Sequence, residues 1–372
     1  MRRYHTQGPG FDYQAEWQAW IGMESRKRFP QSETNAHSLL CSPALTKKFR
    51  IALFLFHWEV QQATLFGREM CQTVFDLRVQ LPCEEFLWGA MNPEDWLSRI
   101  QEAQQGQGFL DTLKIFLDVR RQPPALPPVS LCLILHGLIA VGLDLQQRPS
   151  PTSPNGEDSL SKQARISRGL DIWRVHFDEQ MGPVLVHEWY QKAIVMYHMA
   201  HITLHANRQS LFAAAGDRRF LRRNSDDFYR AKQELQQWTA LTSAQLATWH
   251  AVQILMKYLG DPGPQVYQQD LYVCWSTYVA SLICWAYGQG EGADEEMGGV
   301  WGYQQDASHY LQNMNTPSWE TLVHVNRQIP RRAGAVLEVV RDEMKHARWG
   351  FVQEAMENLK RLVLQRGGGK SV

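Results

Sequence analysis

Apolar residues recur at helical spacing along almost the whole of this chain, and no stretch of useful length alternates between apolar and polar as a half-buried strand would. That periodicity restricts the fold to an all-α, large irregular multi-helix array. Helical segments are predicted at about 14–27, 50–67, 93–105, 108–120, 128–145, 162–180, 183–206, 225–240, 242–259, 269–288, 302–314, 331–346 and 349–365. Local chemistry marks several of their ends. Asn92-Pro93-Glu94-Asp95 reads as an N-cap followed by proline at the first helical position and acids in the first turn. Ser225 and Thr242 look like further starts, Gly260-Asp-Pro-Gly-Pro like a stop, and Gln122 to Pro128 like a proline-marked corner.

The segments between helices set the expected organisation. Residues 1–10 and 367–372 read as tails, and 11–366 as a single domain. Gln146 to Lys162, with prolines and serines and no apolar period, reads as a mobile surface loop, and so does the acidic, glycine-rich 288–299. The 146–162 loop is the best internal boundary, yet the helices on either side each carry an apolar face that needs a partner, so it is not expected to separate domains. No solenoid repeat period is present.

The chemistry that the chain lacks narrows its function. Its 372 residues hold 38 acidic and 38 basic side chains, a formal charge of zero, whereas a free-standing DNA-binding domain shows a basic excess or a basic face. Its six cysteines, Cys41, Cys71, Cys83, Cys132, Cys274 and Cys284, form no Cys-x-x-Cys pair. Such scatter suits buried free thiols better than a zinc site or a disulfide framework. The first twenty residues do not read as a cleaved signal, and the longest apolar run, Val129 to Leu145, is interrupted by His136 and Asp144. A soluble intracellular protein is the expectation. Walker loops, dinucleotide fingerprints, Gly-x-Ser-x-Gly elbows and His-Glu-x-x-His motifs are absent, so no enzyme is expected.

Some clusters could nevertheless carry chemistry. His198, His201 and His205 fall near one helical face with His187 upstream, but no carboxylate or thiol partner set is legible, and packing histidines are expected instead of a metal site. Glu343-Met-Lys-His346 has the Glu-x-x-His spacing of di-iron bundles in one copy, where two are needed. The basic run Arg218-Arg219-Phe-Leu-Arg222-Arg223 could touch phosphates, but Asp217, Asp226 and Asp227 flank it, which favours a solvated helix end. Arg26, Lys27 and Arg28 close a helix C-terminus, where cations suit the macrodipole. No catalytic, cofactor-binding or metal residue is assigned.

Trp17 to Trp96 is the most specific stretch. Trp17, Trp20, Ile21 and Glu24 lie at helical spacing and lead into Glu24-Ser-Arg-Lys-Arg28. An apolar helix around Phe54 and Trp58 follows and, being apolar almost all round, is expected to be buried. Val79 to Pro82 should form a strap, because proline ends a helix and pushes its predecessor toward an extended conformation. Trp88 and Trp96 come next. This order resembles the regulatory, or middle-homology, region of fungal transcription factors, which follows zinc-cluster or two-histidine zinc-finger modules. Tyr197-His198…Leu204-His205, the apolar helix with Trp275 and Trp285, and the closing helix led by Trp349 extend the resemblance over about 11–365.

The resemblance implies a nuclear regulatory domain of a fungal transcription factor that holds an activator on or off. It implies as partners transcriptional coregulators or self-association, with a small-molecule effector as the alternative reading, and no membrane. Contact with DNA, and zinc, would belong only to an N-terminal module missing from this chain, which is expected to start inside the domain. The structural signature is Trp17, Trp20, Glu24, Arg28, Phe54, Trp58, Pro82, Trp88, Trp96, His198, His205, Trp285 and Trp349. Residues 29–49 interrupt the family pattern. Arg28-Phe29 can encode a splice donor and Phe49-Arg50 an acceptor in frame, so the segment reads as a retained intron or, failing that, a lineage-specific loop with few core contacts.

Overall fold

The computed structural model describes residues 13–28, 45–82, 85–102, 107–147, 157–181, 188–217, 225–260, 270–289, 302–325, 333–347 and 349–367. Among them the fold is all-α, with no strand and one isolated antiparallel bridge between Gln80 and Gly108. The contacts group into two compact units, Met1–Leu185 and Val186–Val372.

The first unit contains α1 (Tyr13–Arg28), α2 (Leu45–Phe66), a 3-10 turn at Val74–Asp76, α3 (Glu85–Trp88), α4 (Pro93–Glu102), α5 (Phe109–Phe116), α6 (Pro128–Gln147) and α7 (Glu157–Met181). Its centre is α6, which packs against α2, α5 and α7. By length and composition α6 could cross a membrane, but its window is mostly buried inside the unit, and His136 at its middle is 1% exposed. Close approach of α5 depends on two glycines. A methyl group at Gly137 would lie 3.0 Å from Leu113, and one at Gly169 would lie 3.1 Å from the carbonyl oxygen of Phe116. Trp173 on α7 donates its indole N–H to the Leu131 carbonyl of α6 at 2.8 Å, so α6 and α7, which flank the 146–162 loop, are direct partners.

Several expectations shift here. α2 starts at Leu45, so residues 45–49 are helical instead of belonging to an excursion, and 29–44 lie outside the described residues. Nor is α2 buried all round. Leu53, Phe56, Val60 and Ala63 face inward, but Leu55 and Trp58 are exposed, because a helix on one side of α6 needs only one apolar stripe. α7 begins at Glu157, inside the expected loop, and of that loop only 148–156 lie outside the described residues. The strap exists. Phe109 N–H donates to the Val79 carbonyl and Leu81 N–H to that of Gln107, each at 2.9 Å, and Pro82 is buried behind them.

The second unit contains α8 (Glu188–His205), α9 (Arg208–Ala214), α10 (Ser225–Thr239), α11 (Thr242–Gly260), α12 (Leu271–Tyr287), α13 (Tyr303–Met314), α14 (Trp319–Val325), α15 (Ala333–Glu343) with a 3-10 extension to His346, and α16 (Gly350–Gly367). Its axis is α12, buried from Tyr272 to Tyr287 and packed against α8, α9, α10, α11, α15 and α16. Asp270 caps it by accepting from the N–H groups of Tyr272 and Val273 at 2.9 and 3.2 Å. Gly288 and Gln289 form the turn after α12, and 290–300, most of the expected second loop, lie outside the described residues.

Among the described residues the free thiols differ in their surroundings. Cys132, Cys274 and Cys284 are free and burial pushes them up to about 12, 11 and 12, whereas the free Cys71 is exposed.

Candidate functional site

The polar groups of the second unit gather around α8, α11 and α12, an arrangement that an apolar core does not need. The histidine face read from the sequence lies at this centre. His198 is 7% exposed and His201 1%, and α11 adds His250 at 2%. The Nδ1 atoms of His198 and His250 are 2.9 Å apart, so one ring donates and the other accepts. The ring of His201 stacks on that of His250 with centroids 4.0 Å apart, and Tyr197 meets His198, His201 and His250 edge-on. Three histidines thus share one aromatic cluster, with His201 stacked on His250 and His198 tilted against it. Among the described residues no group of three or more His, Cys, Asp or Glu side chains is placed to hold a metal ion.

A second polar group lies on α9 and α12. Asn207 caps α9 by accepting from the N–H groups of Gln209 and Ser210, which fixes Arg208 as the first helical residue. From there its side chain runs inward and is 7% exposed. Burial pulls its guanidinium down to about 10, and the neighbouring Tyr272 acts in the opposite direction. Burial pushes the Tyr272 phenol well up, and Ser276, one turn further along α12, partly offsets this without a well-angled hydrogen bond. Arg208 Nη1, Tyr272 Oη and Ser276 Oγ are buried without hydrogen-bond partners, and Arg208 forms no ion pair with a described carboxylate.

The third group is closed. Gly216 takes φ +73° after α9, a conformation that costs a glycine little, and so returns Asp217 to the core. Asp217, 2% exposed, accepts from Tyr278 Oη at 3.3 Å, and Asn358 on α16 donates to that same oxygen at 2.8 Å. Arg361 then donates to Asn358 at 3.1 Å. This chain joins α9, α12 and α16 and is structural.

Comparison with known proteins bears on residues 32–175, which match the model of the fungal specific transcription factor domain. That span is therefore similar to the fungal specific transcription factor domain. Beyond that span it is 26% identical over 364 residues to the zinc finger protein klf1 of Schizosaccharomyces pombe, covering 94% of this chain and 43% of that protein. It is 27% identical over 335 residues to the nicotinate catabolism cluster-specific transcription factor of Emericella nidulans, covering 84% of this chain and 38% of the relative. A third relative, the zinc finger protein zas1 of S. pombe, is 24% identical over 290 residues, covering 73% of this chain and 29% of its own length. The chain therefore spans less than half the length of each of these relatives. No solved structure matches it.

Across the matched span and the helices beyond it, the signature residues separate into three sets. Trp17, Trp20 and Trp96 are buried together with Leu87, the rings of Trp20 and Trp96 lying 5.6 Å apart. Pro82, His198 and Trp285 are also buried, and His205 is partly so. Trp58 and Trp349 are exposed, at 51% and 44%; it is Phe351 that packs against Trp275, at 5.4 Å, where α16 begins. The side chains of Glu24, Arg28, Phe54 and Trp88 lie outside the described residues, as do His187, the basic run 218–223 and the side chain of His346. The sequence reading missed Arg208, Tyr272 and Ser276. An arginine after an Asn cap ordinarily points to solvent, and the hydroxyls sit in an apolar run, so no local pattern marks them.

Proposed function

We propose that this chain is the regulatory part of a fungal transcription factor, acting in the nucleus and reaching DNA through a zinc-dependent module elsewhere in the intact protein. It engages transcriptional coregulators or a second copy of itself, and it is not an enzyme. The observation that carries this reading is joint. A match to the fungal-specific transcription factor domain lies in a charge-neutral chain, while relatives named as zinc finger proteins or a transcription factor align along most of it. The neutral balance suits a regulatory surface, because phosphate neutralisation by Lys and Arg supplies most non-specific DNA affinity.

Joining residues 1–372 to a heterologous DNA-binding domain in a fungal reporter strain tests the proposal. The fusion should change reporter output several-fold relative to the DNA-binding domain alone. Output equal to that control under every growth condition tried would argue against a regulatory role.

A second reading, an effector-responsive helical domain, is favoured by the buried polar groups on α9 and α12, since fully buried polar atoms ordinarily find partners. It is compatible with the first. A regulator can take its on and off states from differential affinity for a small ligand.

A further inference from the structure

The cost of burying charge directs attention to Arg208. A guanidinium removed from water without a counter-charge is among the most expensive groups a core can hold, and buried arginines are ordinarily paired. Arg208 is 7% exposed, is not hydrogen-bonded through Nη1, and neighbours the buried phenol of Tyr272, beside which lies the hydroxyl of Ser276; neither hydroxyl makes a well-angled hydrogen bond. The carboxylate at the head of α12 does not answer it. Asp270 is held by Lys192 at 2.8 Å and by the N–H groups that it caps. Glu234, near the other side of α9, accepts from Ser210 at 2.6 Å.

We propose that Arg208, Tyr272 and Ser276 form the charge-binding end of a site for a small monocarboxylate, the effector of this domain. A planar carboxylate accepts two parallel N–H bonds from a guanidinium, and its remaining lone pairs can take hydroxyl donors. One negative charge balances the one buried cation. A phosphate dianion would leave a net charge in the same low-dielectric surroundings, which disfavours it. The inference deepens the effector-responsive reading, but binding is read on the purified chain and regulation on the reporter, so either result can fail without the other.

The test is thermal shift and calorimetric titration of the full chain at fixed ionic strength and pH 7.5. The probes are acetate and benzoate, with acetamide and benzamide as neutral counterparts and inorganic phosphate as the dianion. At least one carboxylate at millimolar concentration should raise the melting temperature by roughly 2 °C or more, as ligand linkage requires, while its amide does not. Arg208→Met should weaken that binding roughly 10-fold or more, with smaller losses in Tyr272→Phe and Ser276→Ala. Without ligand, Arg208→Met should melt no lower than the wild type, because it removes an uncompensated buried charge. Arg208→Lys keeps the charge but not the fork, and should bind weakly while remaining folded.

Equal responses to acid and amide, a preference for phosphate, or no response to any probe would overturn the proposal. So would an unliganded Arg208→Met that melts far below wild type, since the guanidinium would then be a structural partner. Concentration-dependent dimerisation lost in Arg208→Met, without a carboxylate response, would assign the counter-charge to another copy of the chain and also reject the small ligand.

Discussion

His136 and His57 are two rings of the first unit whose centroids lie 3.9 Å apart, one buried in α6 and the other partly buried on α2. Burial lowers His57 to about 4 and takes His136 well below its ordinary value, with the charge of His57 adding to the effect on His136. A histidine depressed on folding contributes stability that is complete above its unfolded value, about 6.5, and is lost as pH falls. The melting temperature should therefore hold near pH 7 to 8 and decline between about pH 6.5 and 4. His57 should contribute on the order of 2 kcal/mol, discounted for its partial exposure. Near-UV circular dichroism melts across that range check this, and His57→Gln should flatten the decline. On α8, Met199 is fully buried while the adjacent face carries His201. Met199→Asp should cost more than about 3 kcal/mol by burying a charge, and His201→Leu, which keeps the volume apolar, clearly less. Chemical denaturation of the two variants measures the difference.

At the level of elements, helix ends with strong local chemistry were legible. Asp95 N–H donates to Asn92 Oδ1 at 2.8 Å at the head of α4, as the Asn-Pro-Glu-Asp run suggests, and α10 and α11 start at Ser225 and Thr242. The short α3, α9 and α14 were not legible, because four to seven residues hold too little of a 3.6-residue period and such helices are stabilised by tertiary packing. Among tryptophans, burial and not residue type decides the cost of removal. Trp96→Ala, which removes a fully buried ring from the Trp20 contact, should destabilise by about 3–5 kcal/mol, and Trp58→Ala by less than about 1. Urea titration of both variants tests that contrast. Asp270→Ala should cost about 1–2 kcal/mol, since it removes the cap of the axial helix α12 together with the Lys192 ion pair. Lys192→Met, which leaves the cap in place, should cost less in the same assay.

At the scale of the whole molecule, acidic and basic side chains balance, 38 to 38. Residues 1–372 alone should show no sequence-selective DNA binding in a low-salt gel-shift titration, whatever the intact relatives do. Selective retardation of one DNA sequence at nanomolar protein would contradict this expectation. The division at Leu185 was not legible from composition. The proline- and serine-rich stretch was not expected to separate domains, and α6 and α7 beside it do pack together, while the contacts divide into two units after α7.

What the sequence by itself determined is what depends on neighbours along the chain: helical period, cap chemistry, the proline strap at Val79 to Pro82, and the clustering of Trp17 and Trp20 on one face of α1. The tertiary structure decided what depends on neighbours across the chain. Periodicity marks an apolar residue as able to be buried but does not name its partner, so Trp58 and Trp20 look alike in sequence and end on opposite sides of the solvent boundary. For the same reason the sequence could place His198 and His201 on a common face but not bring His250 onto them, and it held no sign that Arg208 turns inward. The approach of α9 to α12 sets that orientation, and the cost of an unanswered charge in a core makes it informative about function.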